Sequence, residues 1–109
     1  MNYIDFETSK GSYKLRLNTR TTIVLEKLLG GNPLKVFANV SETEVPTVET
    51  MTNILYASLL AYQPEIKKEQ AFDIFDEWLE AGHHVAEFVI IAIDLYKQGG
   101  LIKREAEKN

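Results

Sequence analysis

The side chains richest in chemistry lie together at Glu80, His83, His84 and Glu87. Imidazole and carboxylate are metal ligands and proton carriers. His83 with Glu87, and Glu80 with His84, have the i, i+4 spacing that places two side chains on one side of a helix. Adjacent helical residues point about 100° apart, so His83 and His84 would not chelate one ion together. Neither pair has a third ligand nearby, and a metal site needs one. The pattern reads as a helix start, with His84 as N-cap and Glu87 three residues on as the capping-box acid. The acids Asp73, Asp76, Glu77 and Glu80 lack the alternating oxygens and central glycine of a calcium loop, and read as a solvated helix face. Gly30-Gly31 is followed by no Lys-Ser or Lys-Thr pair, so it reads as a helix stop and not a phosphate loop. Ser9, Ser12, Ser41 and Ser58 have no nucleophile-elbow context. These residues predict a protein that is not an enzyme and carries no metal or cofactor.

The chain has 109 residues, within the size of one domain, and the expectation is a single domain over 1–109. It contains no cysteine, which removes disulfides and thiolate metal sites. The first twenty residues hold no apolar h-region, so no secretory signal is expected. No apolar run reaches the ~18 residues of a membrane span. The net charge of −4 argues against a general nucleic-acid binder, whose affinity comes from neutralising phosphates. A protein partner or a small ligand is left, with no nucleic acid and no membrane.

The elements follow from periodicity. Residues 2–18 alternate as a β-hairpin: Ile4 and Phe6 in one strand, Tyr13, Leu15 and Leu17 in the other. Thr8-Ser9-Lys10-Gly11 makes the turn, with Gly11 free to take a positive φ. Two strands alone are marginal, so the face with Phe6, Leu15 and Leu17 must lie on a helix or pair with another chain. Its open edges would accept a partner strand. As a DNA-binding ribbon it is poorly suited, because Asp5 and Glu7 balance Lys10, Lys14 and Arg16. The helical part covers 19–102. Asn18 or Thr19 caps a first helix to about Leu29, whose apolar side is Val24, Leu25, Leu28 and Leu29. Asn32-Pro33 starts a short turn of helix to Ala38. Thr47 caps a helix through Val48, Met51, Leu55, Leu59 and Tyr62, which Pro64 closes. Lys68 to Ala81 is amphipathic, with Ala71, Phe72, Ile74, Phe75, Trp78 and Leu79 on one face. Residues 103–109 read as a frayed tail. The fold expected is α+β, mostly α: an N-terminal hairpin, then three main helices and one or two short ones in a compact bundle.

The last helix is too apolar for an ordinary surface helix. In Val85–Tyr96, Val85, Phe88, Val89, Ala92, Leu95 and Tyr96 form a core face, and Ile90, Ile91 and Ile93 extend it on both flanks. Either it runs through the middle of the domain or part of it meets another chain. Ile90 and Ile93 are the surplus, and with Leu101 and Ile102 they are candidates for a self-association or client surface. Tyr56 and Leu60 lie off the main face of their helix; they suit either the core or a contact surface.

The stretch YKLRLNTRTTIVLEKLLGGNPLKVF, Tyr13 to Phe37, carries a strand ending in Leu15-x-Leu17, a helix with Leu25-Glu26, then Gly30-Gly31 and Asn32-Pro33-Leu34. In this it resembles the tail assembly chaperones of long-tailed, siphovirus-type bacteriophages and prophages. PTVETMTNILYASLLAY and FDEWLEAGHHVAEFVIIAI resemble the later helices of that family, and the similarity spans about residues 10 to 102. The resemblance implies a non-enzymatic chaperone in the bacterial host cytoplasm. It would bind the tape measure protein and keep it soluble while the tail tube assembles, acting as a homo-oligomer. The family often has a longer form made by ribosomal frameshifting, through which the tail tube protein would be a further partner. This chain would be the shorter form, and Glu107-Lys108-Asn109 is compatible with a slippery codon run. The alternative is a small helical protein-interaction adaptor, phage structural or otherwise.

Overall fold

The computed structural model describes residues 2–41 and 43–104, so most of the tail expected to fray, residues 105–109, lies outside the described part. Two antiparallel strands open the chain, β1 (Ile4–Thr8) and β2 (Gly11–Leu15), and four helices follow: α1 (Thr19–Leu29), α2 (Val48–Leu59), α3 (Lys68–Glu80) and α4 (Val85–Gln98). A 3-10 helix, Pro33–Phe37, lies between α1 and α2. The architecture is α+β and mostly α, and its shorter helical pieces are α1 and the 3-10 helix.

The hairpin pairs Ile4 with Leu15 and Phe6 with Tyr13, so the alternation puts all four on one face. Phe6 and Leu15, with Leu17 beyond the strand, are buried. That face lies on helices of its own chain, β1 against α3 and β2 against α2. The turn is made differently from the expectation at Gly11. Among the described residues positive φ occurs only at Gly30, Gly82 and Gly100. The Thr8 hydroxyl shapes this turn, accepting from the N–H groups of Lys10 and Gly11 at 3.1 Å and donating to the Gly11 carbonyl at 3.0 Å.

Local chemistry sets the helix ends. Asn18 and Thr21 form a reciprocal capping box: the Thr21 N–H donates to Asn18 Oδ1 (2.9 Å), and the Asn18 N–H donates to Thr21 Oγ1 (3.0 Å). Gly30 ends α1 in the left-handed region, φ 74°. Asn32 Oδ1 accepts from the Leu34 N–H, with Pro33 in the first helical position. Thr47 Oγ1 caps α2 through the Thr50 N–H. That helix stops at Leu59, short of the expected Tyr62. Pro64 disfavours helix at Gln63, and the Gln63 side chain instead reaches across to the hairpin backbone.

The central element is α2, which touches α1, α3, α4 and β2. Eight of its 12 residues are buried, against five of 14 in α4. So α4 lies at the side of the core and not through its middle. Of its expected core face, Phe88, Val89, Ala92, Leu95 and Tyr96 are buried, while Val85 in the first turn is half-buried against the core. Phe72, placed by periodicity on the apolar side of α3, is 45% exposed.

The end of α4 is tied to the hairpin by a close backbone approach. A Cβ at Gly99 would lie 2.6 Å from the Leu17 carbonyl oxygen. Gly99 itself has an ordinary φ of −79°, so the requirement is space and not backbone conformation. Gly99→Ala should therefore destabilise by about 1–3 kcal/mol, the cost of overpacking against groups that do not yield. Gly31→Ala, where a Cβ meets nothing within 4 Å, should match or slightly exceed the parent. Urea midpoints measure both; a Gly99→Ala midpoint equal to the parent's would refute the close approach.

Candidate functional site

The cluster at the α3–α4 corner is a capping device. The Glu87 Oε1 atom accepts from the backbone N–H of His84 (3.1 Å), so the return half of the expected capping box is present. The same oxygen accepts the Nδ1 proton of His83 at 2.9 Å, and Glu87 Oε2 lies 3.7 Å from His84 Nε2. The His83 ring stacks on Trp78, with centroids 4.7 Å apart and planes 7° from parallel. Glu87 thus links both histidines to the first turn of α4, while Trp78 holds His83 against α3. Hydrogen bonding by the His84 N–H, and next by His83, holds the Glu87 carboxyl below the usual carboxylate range. Among the described residues no three His, Cys, Asp or Glu side chains converge as metal ligands do. Elsewhere, burial pushes the Tyr96 phenol well up, and its hydroxyl donates to the Pro33 carbonyl at 3.0 Å. The Tyr13 phenol is raised by burial and then by the Glu77 charge. Both tyrosines read as fold contacts.

The six candidate binding residues separate by depth. Ile90 stands out of the middle of α4 at 64% exposure, the highest among the large exposed apolar side chains. Ile93, one turn on, is half-buried and packs on the core, as do Tyr56, Leu101 and Ile102. Leu60 is half-buried at the C-cap of α2. The backbone folds back after α4, with the N–H groups of Leu101 and Ile102 both donating to the Tyr96 carbonyl. Leu101 then lines a shallow groove of about 220 Å³ with Thr19, Thr22, Ile23 and Glu26 of α1.

Other exposed apolar side chains were not among the six. Ile23 on α1 is 46% exposed and Val48 at the start of α2 is 51% exposed; Leu34, Val45, Tyr62 and Phe72 are exposed too. Val36, Val40, Val45 and Pro46 line an open hollow of about 290 Å³ between the 3-10 helix and α2, with Lys35 and Glu44 beside them. Ile23 falls outside the expected apolar side of α1, and that was the available signal. Val45 and Leu34 sit in irregular or single-turn segments, where no periodicity separates inward from outward.

The class defined so far is a small α+β protein, mostly α, with several large apolar side chains exposed on its helices and in the segments between them. The chain matches no protein-family model, no curated protein and no solved structure.

Two outcomes follow from this geometry. Ile90→Glu should change stability by no more than about 0.5 kcal/mol, as exposed substitutions do, whereas Ile93→Glu should cost clearly more, since it places a charge against the core. Equal losses in urea unfolding would mean that Ile90 is a core residue. Glu87 has a depressed folded pKa, so its contribution is present above its unfolded value and is lost as pH falls through the folded one. Glu87→Gln should thus be less stable than the parent at neutral pH, with the gap closing below about pH 4. A gap that stays constant from pH 7 to pH 3 would rule out the carboxylate as its source.

Proposed function

We propose that this protein is a tail assembly chaperone of a long-tailed phage or prophage. It binds the tape measure protein through apolar contacts and keeps it soluble while the tail tube forms, without enzymatic chemistry. The observation that carries the reading is Ile90, a large aliphatic side chain 64% exposed in the middle of a helix whose opposite face is firmly packed. A holdase for a helical client needs apolar side chains presented on rigid elements, in the manner of helix-in-groove recognition. Of the residues that carry the family resemblance, those from Leu15 to Leu34 make one continuous passage of the chain. Leu15 and Leu17 are buried, Asn18 caps α1, Gly30 stops it, and Asn32-Pro33 starts the 3-10 helix. They support the reading as fold-determining positions, while the exposed side chains supply the binding.

Self-association in the bacterial host cytoplasm is part of the same proposal, since it would screen this surface before the client arrives. Co-expression with the tape measure protein of the same gene cluster tests it. The soluble fraction of that protein should rise with the parent chain and fall back with Ile90→Glu, whose folding is checked by circular dichroism. No gain in solubility with the parent chain would overturn the proposal.

A further inference from the structure

The two outer edges of the hairpin are differently occupied. Both backbone groups of Lys14 point outward from β2, and the Gln63 side-chain amide takes both. The Lys14 N–H donates to Gln63 Oε1 at 3.1 Å, and Gln63 Nε2 donates to the Lys14 carbonyl at 3.0 Å. Two residues on, the Arg16 N–H donates to the Ser58 carbonyl at 2.9 Å. The β2 edge is thereby closed by the chain's own groups.

The β1 edge is tied to α3 at the turn, where the Ser9 N–H donates to the Glu77 carbonyl at 3.1 Å, and is open at Asp5 and Glu7. Because the Lys14 groups face outward, its cross-strand partner Asp5 belongs to a non-hydrogen-bonded pair, and so does Glu7 opposite Ser12. The N–H and C=O of Asp5 and Glu7 thus point away from β2, and no group among the described residues bonds them. Both residues are exposed. Such an edge is a template for an added strand.

Charge selects the occupant. Lys14 stands opposite Asp5, but its ammonium lies over the rings of Tyr3 and Tyr62, 4.9 and 5.9 Å from their centroids. Glu7 accepts from the Ser12 hydroxyl at 3.3 Å, and neither acid forms an ion pair among the described residues. A second copy of β1 is a poor occupant. Antiparallel pairing about Phe6 would set Asp5 of each copy opposite Glu7 of the other, and like charges directly opposite destabilise a sheet.

We propose that this edge receives an extended, basic segment of another protein as a third strand. The partner backbone bonds Asp5 and Glu7, and its alternate Lys or Arg side chains lie beside the two carboxylates.

Amide exchange and chemical-shift mapping by NMR on the full chain test this, with the capped pentapeptides Lys-Val-Lys-Val-Lys and Glu-Val-Glu-Val-Glu as probes. In the free protein the Asp5 and Glu7 amides should exchange fast while that of Phe6 is protected. The basic peptide should shift and protect the Asp5 and Glu7 amides, and the acidic one should do neither. The double variant Asp5→Asn, Glu7→Gln keeps the backbone groups and should weaken the basic peptide about fivefold. Four outcomes overturn the proposal: amides at 5 and 7 protected without peptide, equal response to both peptides, shifts confined to another surface, or no binding at millimolar peptide. The last would leave the two acids as charges that only deter strand pairing.

Discussion

The face-to-face contact between Phe6 and Trp78, centroids 5.4 Å apart, fixes the hairpin to the helices. Phe88 meets both rings edge-on, and Phe75 packs against Trp78 and Phe88, so one aromatic group joins β1, α3 and α4. A two-stranded ribbon is marginal in water by itself. Aromatic pairs of this kind contribute about 0.5–1.5 kcal/mol each beyond the area they bury. The ribbon therefore depends on α3 and α4 for its existence, and α3 and α4 depend on Phe6 to fill the space between them. The backbone ties at Ser9, Lys14 and Arg16 fix its register and angle on this support.

The centre of the molecule is less apolar in sequence than its side. Thr52, Asn53 and Ser58 are all buried in α2. Ser58 Oγ donates to the Leu55 carbonyl at 2.9 Å, and Thr52 Oγ1 donates to the Glu49 carbonyl at 3.0 Å. Short hydroxyl side chains satisfy themselves on the preceding turn, so they enter a core at little cost. Periodicity scores them as polar and makes α2 look like an ordinary amphipathic helix. The isoleucines of α4 act in the opposite sense, since they raise apolarity without burial. Apolar content measures what a helix would tolerate burying, and neighbours decide what is buried.

What was legible in the sequence was mostly local. Asn18, Gly30, Asn32-Pro33, Thr47 and the His84–Glu87 pair mark helix ends because a cap is satisfied within about four residues of itself. The hairpin face of Phe6, Leu15 and Leu17 was legible from alternation alone. Contacts between distant residues left no such trace: Gly99 against Leu17, Gln63 on Lys14, and Tyr96 on Pro33. Gly99-Gly100 reads as one helix stop, yet the two glycines differ. Gly100 takes a positive φ of 79°, while Gly99 gives room to the Leu17 carbonyl. The candidate site was legible at Ile90, where the apolar count exceeded what one core face takes. It was not legible among Ile93, Leu101 and Ile102, whose depth depends on how the chain turns after α4.

The depth of the exposed residues also constrains how any client is held. Burying one isoleucine completely contributes roughly 1.5–3 kcal/mol. Association costs an estimated 4–15 kcal/mol in lost translation and rotation before any net affinity appears. Ile90 by itself falls short of even the lower figure. Ile23, Val48 and Phe72 lie on three other helices, so a single straight client helix would not cover all four side chains at full depth. Binding on this chemistry has to sum several partial contacts. It does so either by a client that follows the surface or by several copies engaging a long client at repeated points, where linkage raises avidity by ~10²–10⁴ without any new contact. The weakness of each individual apolar contact then favours release, because detaching one copy at a time never requires breaking the whole interaction at once.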